Sequence, residues 1–175
     1  DRDKTDGNAP FFICVGLIPL QKYFAQQLSQ ASQALLDEIL AETRHYFLHK
    51  VRQGACYYPN SYMGDMLFAW MLNELYGNKN DEKELCGFLK YSGKYWVEKH
   101  WGWGEHMSDS YAKVCCFELS MFLLMSKKLP ARIRGLYTRA LQQLLDIEDI
   151  YGGKPRVPAI RSYAFEESPR QTTFR

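Results

Sequence analysis

The chain has 175 residues, of which 46% are hydrophobic and 24% are charged. This composition is typical of one globular domain and excludes an intrinsically disordered chain. The formal net charge of +2 is too balanced to predict a nucleic-acid partner. No run of about eighteen apolar residues occurs, so the sequence predicts no membrane-spanning segment and no membrane partner.

The five cysteines are odd in number, and no two of them have the CxxC spacing of a metal or redox motif. We therefore predict that they are reduced and act as small hydrophobic residues, which favours a reducing compartment such as the cytoplasm. The first six residues carry as much acid as base, which is not the pattern of a signal peptide. The cysteines are Cys14, Cys56, Cys86, Cys115 and Cys116.

The first third of the sequence predicts one long helix. Residues 1–10 are polar and predict a loose terminus. The apolar stretch Phe11–Ile18 fits either a short helix or a buried extended segment. Pro19 fits the first position of a helix, where its missing N–H donor matters least. Apolar residues then recur every three or four positions over Leu20–Gln53, and Gly54 predicts the end of this helix.

The middle of the sequence predicts two further helices. The first covers Ser61–Tyr76 and carries apolar residues around most of its circumference. The second begins after Asp81, a favourable N-cap residue, and continues to about His100. Gly87 and Gly93 within it either weaken the helix or allow another helix to approach closely.

The last third predicts a helix pair. Ser108 or Asp109 caps a helix that continues to Ser126, and this helix is apolar nearly all round, so we expect it to be buried on most sides. A helix from Pro130 to Tyr151 follows, and its single apolar stripe is typical of an outer helix.

The predicted fold is all-α and consists of antiparallel α/α hairpins, because the connections between the predicted helices are short. A buried helix followed by an amphipathic one suggests a partial or small α/α toroid. We interpret residues 1–175 as a single helical domain, which could be a fragment of a larger toroid. Residues 154–175 contain three prolines and little periodicity, and they predict an irregular C-terminal arm.

The strongest candidate for chemistry is the loop-to-helix junction that begins at Trp101. Its two indoles, Trp101 and Trp103, can stack on sugar rings, and Glu105 and His106 follow directly. His106 and Tyr111 are five residues apart, so both can face one cleft, where histidine can act as a base and tyrosine as an acid. The alternative is a capped helix start whose aromatic side chains close the end of the core.

A resemblance follows from two segments. In these segments, Tyr58–Tyr62 and Gly104–Tyr111, and in the two helices between them, the chain resembles the toroid domains of heparinase-like and alginate-lyase-like polysaccharide lyases. The resemblance implies eliminative cleavage of an acidic polysaccharide. It implies that Asn60 neutralises a uronate carboxylate, that His106 is the base and that Tyr111 is the acid.

Two features depart from that family. The doubled asparagine that often precedes the histidine is replaced by Glu105, and the chain is too short for a full toroid with its usual β-sandwich partner. The resemblance also implies that Trp101 and Trp103 are the surfaces on which the sugar rings stack.

The C-terminal arm contains a third candidate group. Arg156 and Arg161 could clamp a carboxylate or sulfate, because a guanidinium group binds such anions through two parallel hydrogen bonds. Tyr163 lies beside them in the sequence. The alternative is a packing arm whose arginines form surface ion pairs.

A separate hypothesis is a metal site on the long helix. Glu42, His45 and His49 are spaced so that one helix face presents all three. The alternative is that the histidines pack at the edge of a helix interface. No flanking zinc motif accompanies them, and we predict neither a metal nor another cofactor.

The remaining signals narrow the function classes. No phosphate loop, dinucleotide fingerprint, GxSxG or kinase motif appears, which argues against nucleotide and cofactor chemistry. Glu118 lies within an apolar helix, where a buried acid requires a partner.

The first functional hypothesis is a glycan-processing domain with a glycan partner. The alternatives are a non-catalytic helical interaction module and a helical metal-binding protein. The sequence does not predict the oligomeric state.

Overall fold

The computed structural model describes residues 9–54, 59–99 and 109–152, and it confirms the all-α class. No strand occurs within these three segments, and none of their helices is long and apolar enough to cross a membrane. The described segments contain six α-helices: α1 (Ala9–Pro19), α2 (Gln30–Gln53), α3 (Pro59–Tyr76), α4 (Lys79–Lys99), α5 (Asp109–Met125) and α6 (Ala131–Tyr151).

The first break between helices lies at Leu28 and Ser29, so the prediction of one helix over Leu20–Gln53 is wrong. Leu28 is extended, with ψ of 153°. Ser29 then caps α2, since its Oγ accepts the backbone N–H of Ser32 at 3.2 Å. Serine is a favourable N-cap residue, but the apolar periodicity continues across Ser29 and therefore indicates one uninterrupted helix.

Pro19 does not begin a helix but lies within one. Beyond it the chain continues as a π turn over Leu20–Phe24 and a 3-10 turn over Ala25–Gln27. A proline inside a helix lacks an N–H donor and crowds the carbonyl four residues earlier, here that of Val15. A change of helix type at such a place is a common way to accommodate the proline. For Phe11–Ile18, the helical alternative is therefore the correct one.

Successive helices run antiparallel, as the short connections predicted. Helices α3, α4, α6 and α5 form a four-helix arrangement in which each contacts two neighbours. Helix α2 packs against α3, and α1 packs against both α2 and α3. Helices α1, α3 and α5 therefore begin at the same end of the molecule, where α2, α4 and α6 end.

The most buried helix is α3 rather than α5. Its consecutive residues Met66–Leu72 are all buried, because α1, α2, α4 and α5 surround it. Helix α5 is buried on most sides, as predicted, although Phe117 and Leu124 are exposed on it. Both helices are apolar nearly all round, and their neighbours, not their composition, decide which one is enclosed.

Helix α4 begins earlier than predicted, because Asn78 takes the capping role that was assigned to Asp81. Asn78 Oδ1 accepts the backbone N–H groups of Asn80 and Asp81, each at 3.0 Å. The Asp81 carboxylate instead accepts a hydrogen bond of 2.7 Å from Arg44 on α2. This contact holds the pKa of Asp81 below its usual value.

A buried polar network crosses the centre of the four-helix arrangement. Ser92 Oγ on α4 donates to the backbone oxygen of Phe88 at 2.6 Å and lies 3.2 Å from Tyr137 Oη on α6. Tyr137 Oη also donates to the backbone oxygen of Leu89 at 3.2 Å. Gly93 lies beside this network, and a Cβ there would be 3.0 Å from the Tyr137 ring. Of the two alternatives for Gly93, close packing is therefore correct.

The cysteines that the structure describes are free thiols. Cys14 is buried, and this burial raises its pKa to about 12, so the thiol is unreactive near neutral pH. Cys56 lies outside the described residues.

Candidate functional site

Two of the predicted site residues, Asn60 and Tyr111, lie at one end of the molecule. We call it the site end: it is the end at which α3 begins at Pro59 and α5 begins at Asp109. Residues 55–58 and 100–108 connect helices whose described ends lie there. At the opposite end, two residues join α3 to α4, five join α5 to α6, and the ten residues Leu20–Ser29 join α1 to α2. Both ends therefore carry connections between helices, which are the usual positions of binding sites on helical scaffolds.

Asn60 and Tyr111 lie in the first turns of α3 and α5, respectively. These two helices are parallel neighbours, so the two residues share the site end. Both side chains are half-buried. The first turn of a helix presents backbone N–H groups and the positive end of the helix dipole, which favour an anionic ligand.

The other predicted site residues lie outside the described part of the chain. Those in the junction between α4 and α5 connect directly into α5, and those in the C-terminal arm follow α6, which also ends at the site end. They are Trp101, Trp103, Glu105, His106, Arg156, Arg161 and Tyr163.

Asp65 is a titratable group of the site end that the sequence analysis did not single out. It lies in the second turn of α3 and is half-buried. Burial raises its pKa to about 6, an effect that the positive charge of Lys50 on α2 partly offsets. A carboxyl group that titrates near neutral pH is a candidate for proton transfer or for donating a hydrogen bond. In the sequence, the sign of this buried acid is that Asp65 lies among Met63, Gly64 and Met66 in an apolar helix.

The raised pKa of Asp65 predicts a pH-dependent stability. The folded protein binds the proton more tightly than the unfolded chain, whose aspartate pKa is about 3.9. The stabilisation by this proton is complete below about pH 4 and is lost as the pH rises through about 6. We expect Asp65→Asn to raise the free energy of unfolding by about 1–3 kcal/mol at pH 7 and to have little effect near pH 4.

Urea unfolding at both pH values, followed by circular dichroism, measures this difference. Glu42→Gln removes an exposed carboxylate from α2 and is the control. An effect of Asp65→Asn that is equal at the two pH values would contradict the assignment.

Glu118 is the second buried acid near this end. Its side chain is only 3% exposed and lies between α5, α3 and α1. A Cβ at Gly64 would be 2.8 Å from Glu118 Oε1 and 2.8 Å from the Phe11 ring. The glycine therefore provides the space in which the carboxylate and the ring pack against the backbone of α3.

Aromatic rings form the floor of the site end. Tyr62 is buried one turn into α3 and contacts Trp96 of α4 edge-on, with ring centroids 6.5 Å apart. Trp96 in turn contacts Tyr137 at 6.3 Å. A Cβ at Gly54 would lie 2.1 Å from the Tyr62 ring, so the glycine that ends α2 also makes room for this floor.

The metal hypothesis finds no geometric support. Glu42, His45 and His49 are all exposed on α2. Among the described residues, no group of three or more His, Cys, Asp or Glu side chains could hold a metal ion. Positions seven apart on a helix are separated by about 10 Å along its axis, which is too far for one ion.

Comparisons with known proteins give no family for this chain. No protein-family model matches the sequence, and neither a curated protein nor a solved structure shows significant similarity to it.

Proposed function

We propose that the chain is a carbohydrate-active helical domain that cleaves an acidic polysaccharide by elimination, with its cleft at the site end of a partial α/α toroid. The observation that carries this proposal is the position of Asn60 and Tyr111 in the first turns of two parallel, adjacent helices. The helix starts favour the carboxylate of a uronic acid. The junction that contains His106 leads directly into α5.

The proposed reaction requires three groups. Asn60 hydrogen-bonds to the uronate carboxyl group, which makes the adjacent C–H bond more acidic. His106 removes that proton, the electrons form a C=C bond, and the neighbouring C–O bond breaks. Tyr111 donates its proton to the departing oxygen, and water restores the protonation states of both side chains. The products are an unsaturated uronate and a new sugar hydroxyl group.

The test is the ultraviolet absorbance of unsaturated uronate while the protein is incubated with a panel of uronic-acid polysaccharides. We expect Tyr111→Phe, Asn60→Ala and His106→Ala each to lower the rate by about 100-fold or more. Tyr91→Phe and Asn80→Ala are matched controls, because Tyr91 is exposed near the middle of α4 and Asn80 is exposed at the end of α4 opposite the site end, and they are expected to keep full activity. No absorbance change with any polysaccharide would refute elimination.

A second candidate is a non-catalytic interaction module. The observation that favours it is a set of exposed aromatic and aliphatic side chains on α1 and α5, including Phe12 and Leu124. Such exposed apolar surface commonly marks a contact with another macromolecule. This candidate predicts binding without chemical change, so the absorbance assay and a measurement of association distinguish the two.

A further inference from the structure

Helix α1 is apolar around its whole circumference, yet only one side of it faces the core. No charged residue occurs in Ala9–Pro19, and Cys14 and Ile18 are fully buried. On the opposite side, 68% of Phe12 and 48% of Ile13 are exposed. A helix that is apolar on all sides is normally enclosed, so the outer side of α1 requires a partner.

A groove between α1 and α5 continues this exposed side. Its volume is about 560 Å³, and Val15, Pro19 and Tyr23 line one wall. Met121 and Leu124 of α5 line the other wall, and no charged residue contributes to the lining. The groove and the outer side of α1 together form one surface, which we call the α1–α5 face.

We propose that the α1–α5 face is a two-fold interface with a second copy of this chain. In a two-fold interface both partners use the same surface. If one residue contacts a second residue of the other copy, the second residue contacts the first in return. The α1–α5 face suits this arrangement, because an uncharged surface can be paired with itself without repulsion between like charges.

Gly16 marks the position at which the two copies approach each other. It lies on the exposed side of α1, between Phe12 and Tyr23, and a Cβ there would meet nothing within 4 Å. A helix without a side chain at this position allows a second helix to cross closely. With the two-fold axis at Gly16, Phe12 of each copy reaches towards the groove beside Tyr23 of the other.

The available area is sufficient for such a dimer. The exposed side chains of the α1–α5 face present roughly 500 Å² per copy, if a fully exposed aromatic side chain counts for about 200 Å². Two copies would bury roughly 1,000 Å², which is the lower limit for a specific interface. The dimer is therefore expected to be reversible and dependent on concentration.

The test is sedimentation equilibrium of the 175-residue chain over a range of concentrations. We expect reversible association to twice the chain mass of 20.5 kDa. Gly16→Leu adds a side chain where the fold has open space, so it leaves the monomer folded but prevents the close crossing. It is expected to raise the dissociation constant at least about tenfold, and Leu124→Glu is expected to do the same by placing a charge on the face.

Gly87→Leu is the matched control. Gly87 is also an exposed helical glycine with open space around it, but it lies on α4, and its substitution is expected to leave the dissociation constant unchanged. A chain that stays monomeric at every concentration would overturn the proposal, as would equal effects of Gly16→Leu and Gly87→Leu. Binding of the monomer to anionic phospholipid vesicles, abolished by Leu124→Glu, would overturn it in favour of a lipid surface. The inference holds whether or not the site end is catalytic.

Discussion

Replacing Glu74 with alanine is expected to lower the free energy of unfolding by about 3–5 kcal/mol, the usual effect of removing one partner from a buried ion pair. The Glu74 side chain is only 6% exposed, and its carboxylate lies 2.9 Å from Lys22 Nζ. It also accepts the indole N–H of Trp70 at 2.9 Å and the backbone N–H of Lys128 at 2.8 Å. Alanine would leave the Lys22 ammonium group buried with one remaining contact, the backbone oxygen of Met125.

Urea unfolding, followed by circular dichroism, measures this loss. Glu82→Ala is the control, since Glu82 lies at the same end on α4 but is exposed, and we expect a change within about 0.5 kcal/mol. Lys22→Met tests the mechanism. If the pair accounts for the effect, the double variant is expected to be less destabilised than the sum of the single ones. A Glu74→Ala protein as stable as Glu82→Ala would contradict the argument.

Gly93→Leu is expected to lower the free energy of unfolding by about 3 kcal/mol or more, because the added side chain overpacks a filled core. A Cβ at this position would already lie 3.0 Å from the Tyr137 ring and 3.2 Å from Leu136 Cβ. The remaining atoms of leucine would have to separate α4 from α6. This separation would also break the contact between Ser92 and Tyr137.

The same substitution six residues earlier provides the comparison. Gly87→Leu adds an identical side chain to the same helix, but into open space. Because leucine has the higher helix propensity, this variant is expected to be more stable than the native protein by about 0.5–1 kcal/mol. Opposite signs for the two variants in thermal or urea unfolding would verify the role of Gly93, and equal signs would contradict it.

The sequence predicted those parts of the fold that depend on local chemistry. The apolar stripe of α6 and its end were correct, because Gly152 adopts the left-handed conformation, with φ of 55°, that favours glycine after a helix. The error at Asn78 was a choice between neighbouring polar residues that could each cap a helix, whereas the cap at Ser29 was missed because the apolar periodicity continues across it. From the sequence, it was therefore easier to predict that a helix is present than to predict the exact residue at which it begins.

Features that depend on distant residues could not be predicted in this way. Whether α3 or α5 is enclosed follows from four packing partners and not from either helix alone. The raised pKa of Asp65 requires its burial in the folded protein, and Lys50, whose charge partly offsets this effect, lies fifteen positions away in the sequence. For the site, the sequence predicted two residues that share one end, Asn60 and Tyr111, but the roles proposed for them remain predictions.

The two ends of the molecule differ in how freely their sequence can change. At the end opposite the site end, Lys22, Glu74 and the backbone of Lys127 and Lys128 connect the π turn after α1, the end of α3 and the connection between α5 and α6, so one altered side chain disturbs several contacts. At the site end, the connections join helices whose packing is already determined by their cores. A protein built in this way can acquire a new ligand by exchanging its connections at the site end while the helices remain the same.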